Sequence, residues 1–172
     1  MKTNQLQSNE YGSYYANYIN QVDENTSIFD GLNIRLKEAL QLYQSIPEEH
    51  FDYRYADGKW SIKEVLHHVI DAERIFAYRA LRVARGDKLN LLGFSQDDFV
   101  LKSASNNRTK NALIEEFKSV RHSTISLFES FNDEMLLEIG SASDSPISAR
   151  ALGYIIIGHE KHHANIVAER YI

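Results

Sequence analysis

Four long stretches of the sequence repeat apolar residues every three or four positions, which is the spacing of one face of an α-helix. They run from about Ser27 to Ile46, from Ser61 to about Arg85, from near Thr109 to Phe131, and from near Ser148 almost to the end of the sequence. Only two prolines occur in 172 residues, and the closely spaced turn signals of a small β protein are missing. We therefore predict an all-α fold without strands, a four-helix bundle.

The predicted helices carry capping and stop signals at their ends. Ser61 and Glu64 have the spacing of a capping box, in which each side chain accepts a hydrogen bond from the other residue's backbone N–H. Gly86 is placed to cap the end of the same helix. Pro47 ends the first helix, and a loop over 141–146 precedes the last one.

Composition limits the classes of protein and of site. The 172 residues, 43% of them hydrophobic, suit a single domain spanning 1–172. A formal net charge of −5 argues against a nucleic-acid partner, which would favour a basic face. There is no cysteine, so a transition metal must be held by His and carboxylate. We find neither a secretory signal nor a membrane span of about 20 residues, and therefore expect a cytoplasmic protein without a membrane partner.

Residues 1–25 form an aromatic-rich extension before the first long helix. Tyr11, Tyr14, Tyr15 and Tyr18 have the spacing of one face of a short helix. One interpretation is a helix that lies across the bundle and buries these rings. The other is a lid over a pocket, or a dimer contact.

Five of the seven histidines lie in two clusters, His67-His68 and His159/His162-His163. At about 100° per residue, His159 and His163 fall within about 20° of the centre of the apolar face of the last helix, and His162 falls at its rim. Two imidazoles one turn apart have the spacing by which a helix offers two nitrogens to one metal ion. Hydrogen-bonded core histidines are the alternative.

On the second long helix, His68 lies at the flank of the apolar face and is the natural third nitrogen, whereas His67 is predicted to point to solvent. Three imidazoles would hold Zn²⁺ or Ni²⁺ and leave one position open, as in catalytic sites. Glu64 and Asp71 lie one turn either side of His68. Either could accept its second ring proton or act as a fourth ligand, and both are candidates for proton handling.

Two further residues are candidates for the site. His159-Glu160-Lys161-His162-His163 resembles the HExxH pattern, in which Glu160 would act as a general base. Arg170 lies two turns beyond His163 on the same face. It could pair with Glu73 or another carboxylate at the bundle end, or bind an anionic substrate. The connection over 86–107 is long enough to cover a site.

Two strings resemble the signatures of the DinB-like superfamily: Trp60-Ser61-Ile62-Lys63-Glu64-Val65-Leu66-His67-His68 and Gly158-His159-Glu160-Lys161-His162-His163. The resemblance extends from about Ser27 to Tyr171. It implies a bundle with an up-down-down-up path, often assembled as homodimers. It also implies a metal held by one His of the second helix and two of the fourth, which match His68, His159 and His163. Where many members have Gly before the first ligand, this chain has His67.

The superfamily includes YfiT-type metal-dependent hydrolases and the bacillithiol and mycothiol S-transferases. The resemblance therefore implies a divalent-metal-dependent enzyme for a small-molecule substrate, either a low-molecular-weight thiol S-transferase or a hydrolase. A non-catalytic metal-binding or dimerising bundle is the alternative, and a bundle whose histidines only pack is a third reading.

Overall fold

A computed structural model describes all 172 residues and contains seven α-helices. They are α1 (Ala16–Ile19), α2 (Ile28–Ser45), α3 (Ile62–Ala84), α4 (Gln96–Lys102), α5 (Lys110–Glu129), α6 (Asp133–Leu137) and α7 (Ala149–Arg170). Five 3₁₀ turns lie at Thr3–Gln5, Ser8–Glu10, Ser13–Tyr15, Glu48–Asp52 and Ser105–Asn107. The four long helices end within about two residues of their predicted bounds. None of the helices combines the length and hydropathy needed to cross a membrane.

Each long helix begins after a hydroxyl residue that caps it. The side chains of Ser27, Ser61, Thr109 and Ser148 each accept a hydrogen bond from a backbone N–H three residues later. The predicted capping box is confirmed, because the Glu64 carboxylate in turn accepts the backbone N–H of Ser61 at 2.7 Å. Each such cap stabilises its helix by about 1 kcal/mol.

The four long helices form the bundle that the sequence predicts. Helices α2 and α3 lie diagonally opposite, and each packs against both α5 and α7. The start of α5 lies beside the end of α2, where Lys110 Nζ donates to the carbonyl of Ile46. The end of α7 lies beside the start of α3, where the Tyr171 hydroxyl donates to the carbonyl of Trp60. Near the start of α3, His67 lies 3.0 Å from Ser105, which precedes the start of α5. Helices α3 and α5 therefore start at the same end of the bundle, which is the up-down-down-up path.

The prediction of a fold without strands is wrong in one place. A three-stranded sheet in the order β1-β2-β3 is formed by β1 (Asn90–Leu91), β2 (Ile139–Ala142) and β3 (Ser145–Ser148). Strands β2 and β3 are an antiparallel hairpin that includes the stretch 141–146 predicted as a loop, and β1 pairs with β2 in parallel. Ser143 and Asp144 make the turn with φ angles of 51° and 59°. Such a turn is usually signalled by Asn-Gly or Asp-Gly, and this sequence has neither there.

The interior consists of two apolar clusters with polar residues between them. One cluster includes Leu32, Phe76 and Ile156, and the other includes Tyr43, Val69 and Val167. The polar side chains between the two clusters are those of the half-buried Arg35 and of the buried His68, Glu73, Arg121, His159 and Glu160. The functional site lies in this polar layer.

Candidate metal centre

Three histidines from two helices meet in the polar layer. His68 of α3 and His159 of α7 are buried, and His163, one turn further along α7, is half-buried. One ring nitrogen from each lies within 4.8 Å of the other two. The Nε2 atoms of His68 and His159 are 3.1 Å apart. The structure thus brings together the three imidazoles selected from the sequence.

The arrangement fits a divalent transition metal. Zinc–nitrogen distances of about 2.0–2.1 Å in a tetrahedral site place ligand nitrogens about 3.3 Å apart. One pair of nitrogens in this cluster is 3.1 Å apart, and all three lie within 4.8 Å of one another, which is close to that separation. Imidazole nitrogen is a donor that Zn²⁺ and Ni²⁺ both accept.

The three rings are neutral at physiological pH. Burial lowers the pKa of His68 to about 4. Burial, reinforced by the neighbouring imidazoles, lowers the pKa of His159 and of His163 well below the usual value. A neutral imidazole has one unprotonated nitrogen, which is the form that binds metal.

Aromatic rings surround the three histidines. The ring centroid of Tyr18 lies 5.1 Å from that of His159, and the Phe76 centroid lies 5.7 Å from it. The ring of Trp60 lies 4.9 Å from that of His68. These rings replace water around the cluster, which strengthens electrostatic interactions there.

The N-terminal extension covers the site on one side. Helix α1 packs against α7, and a Cβ at position 158 would lie 1.9 Å from the carbonyl oxygen of Tyr18, so only glycine permits this approach. Arg150 of α7 forms a buried ion pair with Glu10, which holds the extension in place. The extension packs on the bundle as 3₁₀ turns and the short helix α1, not as one helix that carries all four tyrosines. Tyr15 is buried but Tyr14 is 62% exposed, so the expected burial of the rings holds only in part. Tyr14, Tyr15 and Tyr18 line a cavity, in agreement with the other interpretation.

A cavity of about 330 Å³ adjoins the cluster between the extension, α3 and the small sheet. His68 and His159 lie in its wall. The other lining residues are Gly12, Ser13, Tyr14, Tyr15, Tyr18, Ala72, Phe76, Arg79, Gly93, Phe94, Gln96, Ala142, Ser143 and Ser145. No aspartate or glutamate is among them, so the cavity offers imidazole, hydroxyl, amide and guanidinium groups but no carboxylate.

Glu160 is part of a buried charge network and does not line the cavity. Its carboxylate accepts hydrogen bonds from Arg35 Nε at 2.6 Å and Nη2 at 3.2 Å. Burial raises the pKa of Glu160, against the opposing effect of Arg35. Next to this pair, Glu73 accepts two hydrogen bonds of 2.8 Å from Arg121. With Arg35 bound to its carboxylate, Glu160 is a poor candidate for the general base that HExxH suggested.

Glu64 and Asp71 also lie outside the cavity. The Glu64 carboxylate is bound by Arg54 and by the backbone of Ser61, and Asp71 pairs with Arg74 at 3.5 Å. Neither makes a hydrogen bond to His68. The structure therefore corrects the placement expected for them beside that ring.

Two further expectations need correction. His67 is buried and not exposed, because its Nδ1 lies 3.0 Å from the hydroxyl of Ser105 in the long connection that packs on α3.

Arg170 does not pair with Glu73, whose partner is Arg121. Its guanidinium is exposed beyond the bundle end, 5.9 Å from the ring of Tyr55, and Arg170 is not among the residues that line the cavity.

Arg79 and Gly158 were not selected as site residues from the sequence, and Tyr18 was considered only as part of the aromatic extension. Arg79 carried a readable signal, because it follows Ala72 and Phe76 at the spacing of the apolar face of α3. Gly158 stands directly before His159 in a buried helix, where glycine costs helix stability and so indicates a close approach of another segment. The sequence contains no signal that places Tyr18 against His159.

Comparison with known proteins agrees with this architecture. The sequence profile of the DinB superfamily matches residues 32–167. Among solved structures, the fold is similar to that of YfiT from Bacillus subtilis, described as a probable metal-dependent hydrolase with an unusual four-helix bundle topology. The TM-score is 0.75 at 14% identity, over 86% of this chain and 89% of that one. No curated protein matches the sequence.

Proposed function

The chain belongs to the DinB superfamily, and on that premise we propose that it is a metal-dependent enzyme acting on a small molecule. His68, His159 and His163 would hold one Zn²⁺ or Ni²⁺ ion. The observation that carries the proposal is the position of the three rings. Their nitrogens converge within 4.8 Å, and two of the rings lie in the wall of a cavity large enough for a small molecule.

We assign thiol S-transfer as the reaction. A cation at this site would supply Lewis acidity and favour the thiolate form of a thiol that reaches it. The thiol sulfur attacks an electrophilic carbon of a second substrate and an S–C bond forms. The leaving group departs with its electron pair, and the thiol proton passes to solvent.

The lining of the cavity favours a thiol over water as the nucleophile. A free thiol has a pKa of about 8.5, against about 15.7 for water, so it needs far less help to lose its proton. No carboxylate lines the cavity to take that proton or to protonate a poor leaving group. The chain also has no cysteine, so the thiol must be a substrate.

Hydrolysis is the second candidate, because it is the activity in the description of YfiT as a probable metal-dependent hydrolase. At 14% identity that similarity shows the fold alone. The two reactions share the same three ligands and the same cavity, and differ in the nucleophile that enters it. The family also leads us to propose a homodimer, which sedimentation of the purified protein can test.

Product analysis separates the candidates. The metal-loaded protein is incubated with low-molecular-weight thiols and monochlorobimane, and separately with p-nitrophenyl acetate, and both are repeated with His163→Ala. S-transfer predicts metal-dependent bimane conjugates that His163→Ala abolishes. Ester cleavage without conjugation would favour hydrolysis, and turnover of neither substrate with any metal would leave only a metal-binding bundle.

A further inference from the structure

Arg79 is a buried arginine without a carboxylate partner. Arg79 is only 2% exposed, yet its guanidinium forms no ion pair. The other two buried arginines are both paired, Arg121 with Glu73 and Arg150 with Glu10. Buried charges are normally paired because removing them from water is costly, so the missing anion at Arg79 needs an explanation.

Most of the Arg79 guanidinium lacks an acceptor within the protein. A guanidinium has five N–H groups in a planar fork. Nη2 donates to the carbonyl of Leu92 at 2.7 Å, and Nη1 donates to the hydroxyl of Tyr15 at a long 3.4 Å. Three N–H groups remain without a protein acceptor. Planar forks of this kind bind carboxylates and phosphates through two parallel hydrogen bonds.

Arg79 lines the same cavity as His68 and His159. It lies eleven positions after His68 on α3, so at 1.5 Å per residue the two Cα atoms are about 16 Å apart along the helix axis. Side chains on a helix lean toward its N-terminus, which for Arg79 is the direction of His68. A molecule bound there would have one end near the imidazoles and the other near a positive charge.

Five aromatic rings also line the cavity, those of Tyr14, Tyr15, Tyr18, Phe76 and Phe94. Such walls favour an apolar or aromatic body over a strongly hydrated one. Ser143 and Ser145 of the hairpin add neutral hydroxyl groups. No acidic side chain lines the cavity to repel an anion.

We propose that Arg79 binds an oxyanion of the substrate, and that the substrate is therefore a small molecule with an apolar or aromatic body and a carboxylate or phosphoryl group at one end. This inference rests on the proposed function for the identity of the reacting end. It gives Arg79 the role of orienting the molecule so that its reactive part faces the histidine cluster.

Equilibrium binding of three matched probes tests the proposal. Benzoate, phenylphosphonate and the uncharged benzamide are titrated by calorimetry into the full-length protein, as purified and after chelator treatment. The variants are Arg79→Met, Arg79→Lys and, as a control, Arg85→Met, which removes an exposed arginine at the end of the same helix. Metal content and Tm are measured for every sample.

The wild type and Arg85→Met should bind benzoate or phenylphosphonate at least about tenfold more tightly than benzamide, and Arg79→Met should lose that preference at unchanged metal content. Arg79→Lys keeps the positive charge but loses the planar fork of N–H groups, so its affinity for benzoate should fall about tenfold. If Arg79→Met does not fold, this result for Arg79→Lys tests the proposal. Tighter binding of benzoate would identify the substrate's group as a carboxylate, and tighter binding of phenylphosphonate would identify it as a phosphoryl group. Equal binding of benzoate and benzamide to the wild type, no binding of either anion, or an unchanged preference in both Arg79 variants would overturn the proposal. An anion preference in a protein that binds no metal would support Arg79 and reject the metal site.

Discussion

The Nε2 atoms of His68 and His159, on two different helices, lie 3.1 Å apart and face each other. Two neutral imidazoles at this distance form a hydrogen bond only if one Nε2 carries the proton. A shared cation requires both lone pairs, so the proton must then sit on Nδ1 of each ring. The cluster is thus compatible with a proton on one Nε2 or with protons on both Nδ1 atoms. A bound metal ion should favour the second arrangement.

We expect metal to change the tautomers of these rings. In the metal-free protein, ¹⁵N-edited NMR of the imidazoles should show a protonated Nε2 on one of His68 and His159. Addition of Zn²⁺ should abolish that signal and leave both rings protonated at Nδ1. His50 in the turn after α2 is the internal control and should not respond. A protonated Nε2 on His68 or His159 in the Zn²⁺-saturated protein would contradict shared coordination.

Substitution of Gly158 should displace the N-terminal extension. In Gly158→Ala the new Cβ would lie 1.9 Å from the Tyr18 carbonyl oxygen, which is backbone and cannot rotate away. We expect a loss of about 2 kcal/mol in the free energy of unfolding and faster proteolysis within residues 11–22. Gly31→Ala is the matched control, since its Cβ would meet the flexible end of Ile157 at 2.6 Å. Equal stability of the two variants would show that the close approach at Gly158 does not hold the extension.

The ion pair between Glu10 and Arg150 should make stability depend on pH. Burial opposes ionisation of Glu10, but hydrogen bonds from Arg150 and from the backbone of Gln7 prevail and lower the pKa of Glu10 below its usual value of 4.5. A lowered pKa in the folded state stabilises the protein above the unfolded-state pKa, and this contribution is lost as pH falls through the folded-state value.

Glu10→Gln should therefore cost about 2 kcal/mol at pH 7, and progressively less as pH falls below about 4.5. Urea denaturation at a series of pH values measures the difference. Glu24→Gln, at an exposed carboxylate without an ion pair, should have little effect at any pH. A cost for Glu10→Gln that stayed constant from pH 7 down to pH 3 would show that Glu10 acts by packing and not by charge.

The buried pair of Glu73 and Arg121 should be far more sensitive to single than to double substitution. The two side chains are 2% and 0% exposed and make two hydrogen bonds of 2.8 Å. Glu73→Leu or Arg121→Met alone leaves an unpaired buried charge and should cost about 3–5 kcal/mol in the free energy of unfolding. The double variant should recover most of that loss, as chemical denaturation can show. Additive losses in the double variant would mean that the pair contributes by some other contact.

Local patterns were sufficient to predict the bundle. Ser27, Ser61, Thr109 and Ser148 signal helix starts through hydrogen bonds within one turn, so neighbouring residues contain the necessary information. The positions of His159 and His163 at the centre of an apolar face follow from helix periodicity in the same way. Periodicity also placed His68 at the flank of the apolar face of its helix and made it the natural third nitrogen, and the family resemblance matched the same three residues.

Features that depend on distant segments were not predictable in this way. The strand Asn90–Leu91 is only two residues long and exists through pairing with Ser141 and Ala142, some fifty positions later. His67 faces away from the helix core, and it is buried only because the turn at Ser105 covers it. Glu73 was considered as a partner of Arg170, but Arg170 is exposed at the end of α7, whereas Glu73 lies midway along α3 and binds Arg121 of α5.

Metal content of the protein and of three single variants tests the shared-cation site most directly. Untagged wild type, His159→Ala, His163→Ala and His162→Ala are incubated with Zn²⁺ or Ni²⁺, desalted and analysed for metal by mass spectrometry. His162 is the matched control, because it adjoins His163 in sequence while its Nδ1 lies 3.3 Å from Gln21 at the rim. The wild type and His162→Ala should hold about one ion per chain, and the other two variants less than about a tenth of that. A wild type that binds no metal, or His159→Ala and His163→Ala proteins that bind as much as the wild type, would contradict the account.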